Sequence, residues 1–342
     1  MHSNVTDAHK DSWEPEAEAA APRKTAVLIP CYNEELTIGD VVQQFRQELP
    51  HAAIYVYDNN SSDRTVERAK AAGATVRFEP RQGKGYVIQS MFRQIEADVY
   101  VLVDGDGTYP PGAVHRLIAP VLRNEADMVI GSRLHLESES KFKAVNRFGN
   151  GLFVGALNSL FGVRLSDLLS GYRAFNRSFV KWLPLVGGGF EIETELTIKA
   201  LERGYRVVEI PVDLSPRPTG SFSKIRVFSD GVMIFNTIFA LARDYKPLTV
   251  FGGVGVLLIL GGLAMSLAVA LQSPAATPPT IPPAMVAGGL LLSGMLSTTV
   301  GLILHTVVRR FQDVEYQLRI LGDTLIAAKS PDGQARRSGT QA

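Results

Sequence analysis

The chain has 342 residues, of which 46% are hydrophobic and 20% charged, and its 35 basic side chains nearly balance 34 acidic ones. This composition excludes an intrinsically disordered protein. The formal net charge of +1 gives no overall attraction to nucleic acid, so no nucleic-acid partner is predicted. The single cysteine, Cys31, excludes an intramolecular disulfide.

Residues 1–22 contain no apolar run, and we predict a disordered leader that is neither a signal peptide nor a membrane anchor. From residue 23 to residue 224, apolar runs of strand length alternate with helical patterns. The strand-like runs are TAVLIP at 25–30, AIYVYD at 53–58, TVRFE at 75–79, DVYVLVDGD at 98–106, MVIGSR at 128–133 and YRVVEIPV at 205–212. This alternation predicts an α/β domain with a mostly parallel sheet, covered on both faces, that binds ligands at the carboxyl ends of its strands.

Two acidic residues follow one of these strands directly. Asp104 and Asp106 lie in DGDGTYPP at 104–111, where glycines allow a tight turn that aims both carboxylates at one cation. Mg2+ and Mn2+ prefer oxygen ligands and often bind one or two carboxylates together with substrate phosphates. We therefore predict Mg2+ or Mn2+ as the cofactor. The chain has no GxGxxG after its first strand and no GxxxxGK[ST], so dehydrogenase and P-loop functions lack their main support.

The C-terminal third is far more apolar. Residues 225–246 predict an amphipathic helix at the membrane interface, and residues 247–308 contain no Asp, Glu, Lys or Arg. A proline-rich segment at 273–283 divides this stretch into two halves, each long enough to cross a bilayer, which predicts a two-helix transmembrane hairpin. Basic residues flank the pair of spans and the loop between them is uncharged, so the N-terminal α/β domain and both termini are predicted to be cytoplasmic, at the inner (cytoplasmic) membrane. Residues 309–342 predict an amphipathic helix and a tail, and its apolar stripe suits a homo-oligomer or membrane contact.

The order of motifs resembles family 2 glycosyltransferases of the GT-A fold, and most closely their polyprenyl-phosphate branch, the dolichol-phosphate mannose synthase group. The motifs are PCYNEE, DNNSSD, RQGKGYVIQ, DGDGTYPP, GSR, SDLLSGYR, GFEIETEL and GSFSK. The resemblance covers residues 23–225. It implies a Rossmann-like GT-A catalytic domain, a nucleotide sugar as donor and a polyprenyl phosphate as acceptor.

The resemblance also implies site residues. Those expected to contact the nucleotide are Pro30, Tyr32, Asn33, Glu34, Asp58, Lys84, Asp104 and Gly105, and the expected metal ligands are Asp104 and Asp106. The expected catalytic residues are Arg133, Asp167, Arg173, Glu195 and Lys224. Arg133 and Arg173 are expected to bind the lipid phosphate, because arginine offers paired donors to phosphate oxygens. Asp167 is expected either to orient Arg173 or to act as a base, and the orienting role is favoured because a phosphate monoester is already ionised at neutral pH.

The sequence thus predicts an inverting, metal-dependent sugar transfer to a polyprenyl phosphate at the membrane. Two alternatives stay open. A transferase with a hydroxyl acceptor would include processive polysaccharide synthases, but those usually carry a QxxRW motif and more spans than this chain has. A catalytically inactive membrane scaffold is the second alternative, and the intact pair of Asp104 and Asp106 argues against it.

Overall fold

The computed structural model describes residues 23–133, residues 151–215 except 152, 153, 156, 160, 161 and 163, residues 227–271 and residues 281–329. The predicted leader, the predicted tail beyond residue 329 and Lys224 lie outside the described residues. So does the proline-rich loop up to residue 280.

A seven-stranded sheet forms the centre of the N-terminal domain. Its spatial order is β3-β2-β1-β4-β6-β5-β7. Every neighbouring pair is parallel except those of β6, which runs antiparallel to β4 and β5. The strands are β1 (Thr25–Cys31), β2 (Ala53–Asp58), β3 (Thr75–Phe78), β4 (Val99–Leu102), β5 (Met128–Ser132), β6 (Arg173–Asn176) and β7 (Val207–Pro211).

Helices cover both faces of this sheet, and the continuous apolar character of the central strands explains why. In β1, Val27 and Ile29 face one hydrophobic cluster while Ala26 and Leu28 face another, so the strand is buried on both sides. The helices of the domain are α1 (Ile38–Glu48), α2 (Thr65–Ala71), α3 (Lys84–Gln94), α4 (Val114–Leu122), α5 (Arg177–Trp182) and α6 (Ile192–Glu202). The predicted α/β fold with a mostly parallel sheet is confirmed.

Three long helices follow: α7 (Val227–Tyr245), α8 (Pro247–Leu271) and α9 (Ile281–Lys329). Two helices among the described residues are long and apolar enough to cross a membrane, and they are α8 and the middle of α9. Many of their large apolar side chains are exposed, including Leu257, Leu263 and Leu292, so these helices do not form a protein core. The second predicted span and the amphipathic segment after it form one unbroken helix, because Arg309 and Arg310 favour helix as well as apolar residues do.

Glycines bring α8 and α9 into close contact. A Cβ atom added at Gly255 would lie 2.7 Å from the carbonyl oxygen of Gly294, and one added at Gly294 would lie 2.7 Å from the carbonyl oxygen of Gly255. Small residues allow such approach where helices pack without a hydrophobic driving force. By contrast, nothing lies within 4 Å of a Cβ added at Gly253 on α8.

We therefore expect Gly255→Ala to destabilise the helix pair by about 1–3 kcal/mol, because backbone atoms cannot move aside for the added methyl group. Gly253→Ala is the matched control and should leave stability unchanged or slightly raised. Thermal unfolding of the full chain in detergent measures both. Equal unfolding midpoints for the two variants would contradict the close packing of α8 and α9.

Candidate active site

A pocket of about 430 Å3 opens at the carboxyl ends of β1, β4 and β5. The carboxyl end of an open α/β sheet is where such folds bind ligands. The predicted site residues that line the pocket are Pro30, Tyr32, Glu34, Lys84, Asp104, Gly105, Asp106 and Arg133. Those that the structure places outside the pocket lining are Asn33, Asp58, Asp167, Arg173 and Glu195.

Lys84 connects two acidic residues from distant parts of the chain. Its Nζ lies 2.5 Å from Oδ1 of Asp104, after β4, and 2.5 Å from Oε1 of Glu193, in α6. Burial by itself lowers the pKa of Lys84, but the charges of Asp104 and Glu193 outweigh it and hold this pKa above its usual range. The pocket therefore contains a fixed positive charge between two carboxylates.

Glycines allow the segment that carries Lys84 to come this close. The backbone N–H of Gly85 donates to the carbonyl oxygen of Gly188 at 3.0 Å, and a Cβ at Gly85 would lie only 2.8 Å from the carbonyl carbon of Gly187. Gly83 has a φ of +140°, a conformation that other residues rarely adopt. The start of α3 thus packs directly on the backbone of the 187–189 loop.

Glu195 shapes this loop and does not face the pocket. Its carboxylate accepts hydrogen bonds from the backbone N–H groups of Val186 at 2.9 Å and Gly187 at 2.7 Å, and it pairs with Lys199 at 2.5 Å. The expectation that Glu195 is a catalytic residue is corrected, because its oxygens are occupied by the loop backbone and by Lys199. The acidic residue of α6 that reaches the pocket is Glu193, which sequence reasoning did not select.

The turn after β4 presents two carboxylates to the pocket. A Cβ at Gly105 would lie 2.6 Å from Sγ of Cys31, so only glycine fits between Asp104 and Asp106. Oδ1 of Asp106 accepts from the backbone N–H and the hydroxyl of Thr108, at 3.0 and 2.6 Å. Gly171 leaves the space that the Asp104 carboxylate occupies, since a Cβ there would collide with it. The two carboxylates are therefore held in place inside the pocket.

This arrangement fits a divalent cation that also binds substrate. Among the described residues, no group of three or more His, Cys, Asp or Glu side chains is placed to hold a metal ion. Mg2+ characteristically uses one or two carboxylates and completes its shell with phosphate oxygens and water. Asp104 and Asp106 match that donor set.

The turn after β1 is tied to the loop after β2. Asn33, with a φ of +52°, accepts at its Oδ1 from the backbone N–H of Ser62 at 2.8 Å, and its own backbone N–H donates to the Ser61 hydroxyl at 2.9 Å. The backbone N–H of Glu34 donates to the hydroxyl of Thr65 at 2.7 Å. Asn33 therefore shapes the turn that places Tyr32 and Glu34 in the pocket lining.

Asp58 and Asn59 occupy the end of β2. Asp58 accepts at Oδ2 from the backbone N–H of Ser61 at 3.2 Å, whereas its buried Oδ1 has no hydrogen-bond partner among the described residues. Asn59 lines the pocket and accepts at Oδ1 from the backbone N–H of Gly83 at 2.7 Å. Asn59 thus fixes the start of α3, a function that its position in DNNSSD did not reveal.

Arg133 lines the pocket and forms an ion pair with Asp167. Its Nε lies 2.7 Å from Oδ2 and its Nη2 2.8 Å from Oδ1 of Asp167, a bidentate pair. Burial raises the pKa of Asp167, but the Arg133 guanidinium outweighs it and holds this pKa below its usual range. Asp167 itself is positioned by Glu209 on β7, which accepts from the backbone N–H of Asp167 at 3.0 Å and from the Ser166 hydroxyl at 2.7 Å.

The structure corrects the expectation that Arg173 binds the acceptor phosphate. Side chains alternate along a strand, so Arg173 shares with Phe175 the face of β6 that α6 covers. Arg173 is fully buried, and it donates to the carbonyl oxygens of Leu168 and Ser170 and to the hydroxyl of Thr197 at 2.8–2.9 Å. Asp167 therefore orients Arg133, not Arg173. Lys224 lies outside the described residues, and its predicted role stays a prediction.

A model of the family described as glycosyl transferase family 2 matches residues 26–183. The protein named glycosyltransferase AglJ, from Haloferax volcanii, is 35% identical over 252 residues, which are 73% of this chain and 82% of that protein. The chain belongs to glycosyl transferase family 2. The family resemblance inferred from the motifs is confirmed.

Two further relatives add detail. A dolichyl-phosphate hexose transferase of Haloferax volcanii is 29% identical over 224 residues, covering 65% of this chain and 95% of that protein. Among solved structures, glucosyl-3-phosphoglycerate synthase from Mycobacterium tuberculosis in complex with uridine diphosphate has a TM-score of 0.55 at 24% identity, covering 69% of this chain and 86% of that one. This likeness confirms the GT-A fold.

Proposed function

We propose that the protein transfers a sugar from a UDP- or GDP-sugar to a polyprenyl phosphate, with inversion at the anomeric carbon. The observation that carries this proposal is the arginine of the pocket. Arg133 lies beside Asp104 and Asp106 in the same pocket, and the carboxylate most suited to act as a base, Asp167, is fully engaged in holding it. The site therefore suits an acceptor that brings its own negative charge.

The donor half of the pocket fits a nucleotide diphosphate sugar. Asp58 lies outside the pocket lining but pairs in register with Cys31 at the end of β1, and its Oδ1 would accept from an N–H of the base. Lys84 supplies positive charge for the diphosphate. The solved structure in complex with uridine diphosphate supports a nucleotide sugar as donor.

Asp104 and Asp106 would hold Mg2+ or Mn2+. Such a cation, when bound, neutralises the charge that develops on the leaving nucleoside diphosphate. Lys84 works in the same direction, because its ammonium group is fixed next to Asp104. Both effects stabilise the departing group without a proton donor.

The acceptor half of the pocket fits a phosphate better than a hydroxyl. A phosphate monoester has its second pKa near 6, so its oxygen is a competent nucleophile at neutral pH. That oxygen forms the new bond to the anomeric carbon as the bond to the diphosphate oxygen breaks, and this single displacement inverts the configuration. A hydroxyl acceptor would need a base, and the low pKa of Asp167 makes it a weak one. The dolichyl-phosphate hexose transferase, by its name, supports a lipid phosphate.

The C-terminal helices would place this site at the membrane. We propose that α8 and the first part of α9 cross the inner membrane, and that α7 lies at its cytoplasmic surface with Phe235 and Phe239 exposed on one side. Basic residues flank the pair of spans, with Lys246 before α8 and Arg309 in α9. The lipid acceptor would then reach the pocket from the bilayer.

Arg133→Ala should lower kcat/KM for undecaprenyl phosphate roughly ten- to hundredfold, because a charge-assisted hydrogen bond contributes about 1.5–3 kcal/mol. Turnover of UDP- and GDP-sugars by the purified full chain measures this, and calorimetry should show nucleotide binding close to wild type. Asp167→Asn should have a smaller effect of the same kind. Arg123→Ala is the control, since exposed Arg123 pairs with Glu125 outside the pocket lining.

The phosphate acceptor would be ruled out if Arg133→Ala kept wild-type kinetics while Asp167→Asn lost all transfer. That pattern would assign Asp167 the role of a base and favour a hydroxyl acceptor. Failure of every UDP- and GDP-sugar to turn over with any acceptor would favour the inactive scaffold.

Asp106→Asn should abolish turnover and remove the increase in nucleotide affinity that Mn2+ gives to the wild type, because it removes one of two proposed ligands. Calorimetric titration of UDP and GDP with and without Mn2+ measures this independently of turnover. Asp40→Asn, at an exposed position of α1, is the control. Full wild-type activity in excess EDTA would exclude the cation from the mechanism.

Tags placed at residues 1 and 342 should both be protected from protease added outside intact cells, because basic segments flank both ends of the hairpin. Permeabilised cells provide the positive control for cleavage. Cleavage of either tag in intact cells would refute the proposed orientation.

A further inference from the structure

Glu193 lies in the first turn of α6 and lines the pocket, although its side chain is only 5% exposed. Its Oε1 lies 2.5 Å from Nζ of Lys84. Buried charges in proteins are paired, and the N-terminal end of a helix favours a carboxylate. Glu193 is therefore a shielded anionic partner of Lys84 inside the pocket.

The backbone around this contact keeps Lys84 and Glu193 together. Gln89 of α3 donates through Nε2 to the carbonyl oxygen of Gly187 at 2.8 Å, and Glu195 of α6 accepts from the backbone N–H of the same glycine at 2.7 Å. One loop residue thus joins the helix that carries Lys84 to the helix that carries Glu193. These contacts do not involve Asp104.

The two carboxylates that bind Lys84 differ in exposure. The side chain of Asp104 is 28% exposed, against 5% for Glu193. Asp104 also lies in a different segment, the turn after β4, and it is one of the two proposed cation ligands. A ligand entering the pocket therefore reaches Asp104 more readily than Glu193.

The charges of the pocket make the binding of nucleotide and cation depend on each other. Among the described residues of the lining, four side chains are acidic and two are basic. The acidic ones are Glu34, Asp104, Asp106 and Glu193, and the basic ones are Lys84 and Arg133. A diphosphate alone meets an excess of negative charge, whereas a divalent cation alone meets an ammonium group on one of its proposed ligands.

We propose that Glu193 is a positioning residue for Lys84, and that it keeps the ammonium group in place while the hydrogen bond of that group to Asp104 is exchanged for one to the diphosphate. This inference rests on the proposed cation and nucleotide sugar and is independent of the acceptor. An ammonium group has three N–H donors, so one can change partner while another stays on Glu193. Lys84 leaves Oδ1 of Asp104 when a cation binds there, because two positive charges at one carboxylate oxygen repel each other.

Glu193→Gln separates this role from a purely structural one. Lys84 then keeps only Asp104 as an anionic partner, so Mn2+ alone should bind about tenfold more weakly than to the wild type. UDP or GDP alone should bind more tightly, because the pocket has lost one negative charge. A structural defect at position 193 would weaken the binding of both ligands, and that result would overturn the proposal. Electron paramagnetic resonance of free Mn2+ and calorimetry with each nucleotide measure these affinities in the purified full chain.

The double substitution Lys84→Met, Glu193→Gln separates competition from net charge. It removes one positive and one negative charge, so the net charge of the pocket stays that of the wild type, and no carboxylate is left at position 193 without its cation. Mn2+ alone should nevertheless bind about tenfold more tightly than to the wild type, because Oδ1 of Asp104 no longer contacts an ammonium group. Nucleotide binding in the presence of Mn2+ should weaken, because the donor to the diphosphate is lost.

Two controls accompany the double variant. Adding Asp106→Asn should abolish its tight Mn2+ binding, which assigns the ion to the proposed ligands. Arg123→Met removes a cation from an exposed pair with Glu125 outside the pocket lining, and it should leave the Mn2+ affinity at the wild-type value.

Unchanged or weaker Mn2+ binding in the double variant would overturn this inference alone, provided that the wild type binds Mn2+ together with UDP or GDP. Failure of the wild type to bind Mn2+ with either nucleotide would overturn both this inference and the proposed cofactor. None of these titrations uses a lipid or sugar transfer, so a failure of the proposed acceptor would not affect them.

Discussion

The ammonium group of Lys84 is the point on which the geometry of the pocket depends. Two carboxylates from distant parts of the chain, Asp104 and Glu193, would repel each other in a pocket of low polarity if no cation stood between them. Removing one member of such a buried group leaves an uncompensated charge, which costs about 3–5 kcal/mol. The glycines at 83, 85 and 188 allow this arrangement, because side chains there would keep the start of α3 away from the 187–188 loop.

A second charge pair organises the other side of the pocket in the same way. Arg133 is held by Asp167, and Asp167 is held by Glu209, so the guanidinium is oriented from β7 through two successive carboxylates. Buried Arg173 supports the loop that follows Asp167 by donating to the carbonyl oxygens of Leu168 and Ser170. Among the described residues, Lys84 and Arg133 are thus the fixed cations on the two sides of the pocket, and each is oriented before a ligand arrives. Pre-oriented charges stabilise a reaction without reorganising during it.

The sequence was sufficient to predict the sheet and the strand ends that line the pocket, because buried strands and glycine turns have strong local signatures. It was insufficient for Arg173, Glu195 and Glu193. Glu195 lies on the face of α6 that meets the 186–187 loop, and the helical pattern of the sequence does not say what that face contacts. The antiparallel strand β6 was missed because its sequence, RAFN, contains no β-branched residue and begins and ends with polar ones. The functions of Arg173, Glu193 and Glu195 are determined by contacts with distant segments of the chain, and the spacing of residues along the sequence does not predict such contacts.

The unbroken course of α9 has a mechanical consequence. The helix continues beyond the hairpin and contacts the catalytic domain at two residues. Glu315 of α9 forms an ion pair with Arg203, and Gly322 of α9 packs against the ring of Trp182, so the hairpin and the domain are connected by continuous helix. Transmembrane helices change their tilt when the hydrocarbon thickness changes. A change of about 20° would displace a point about 30 Å beyond the bilayer by roughly 10 Å. With the proposed membrane topology, bilayer thickness would therefore set the height and angle of the pocket above the membrane.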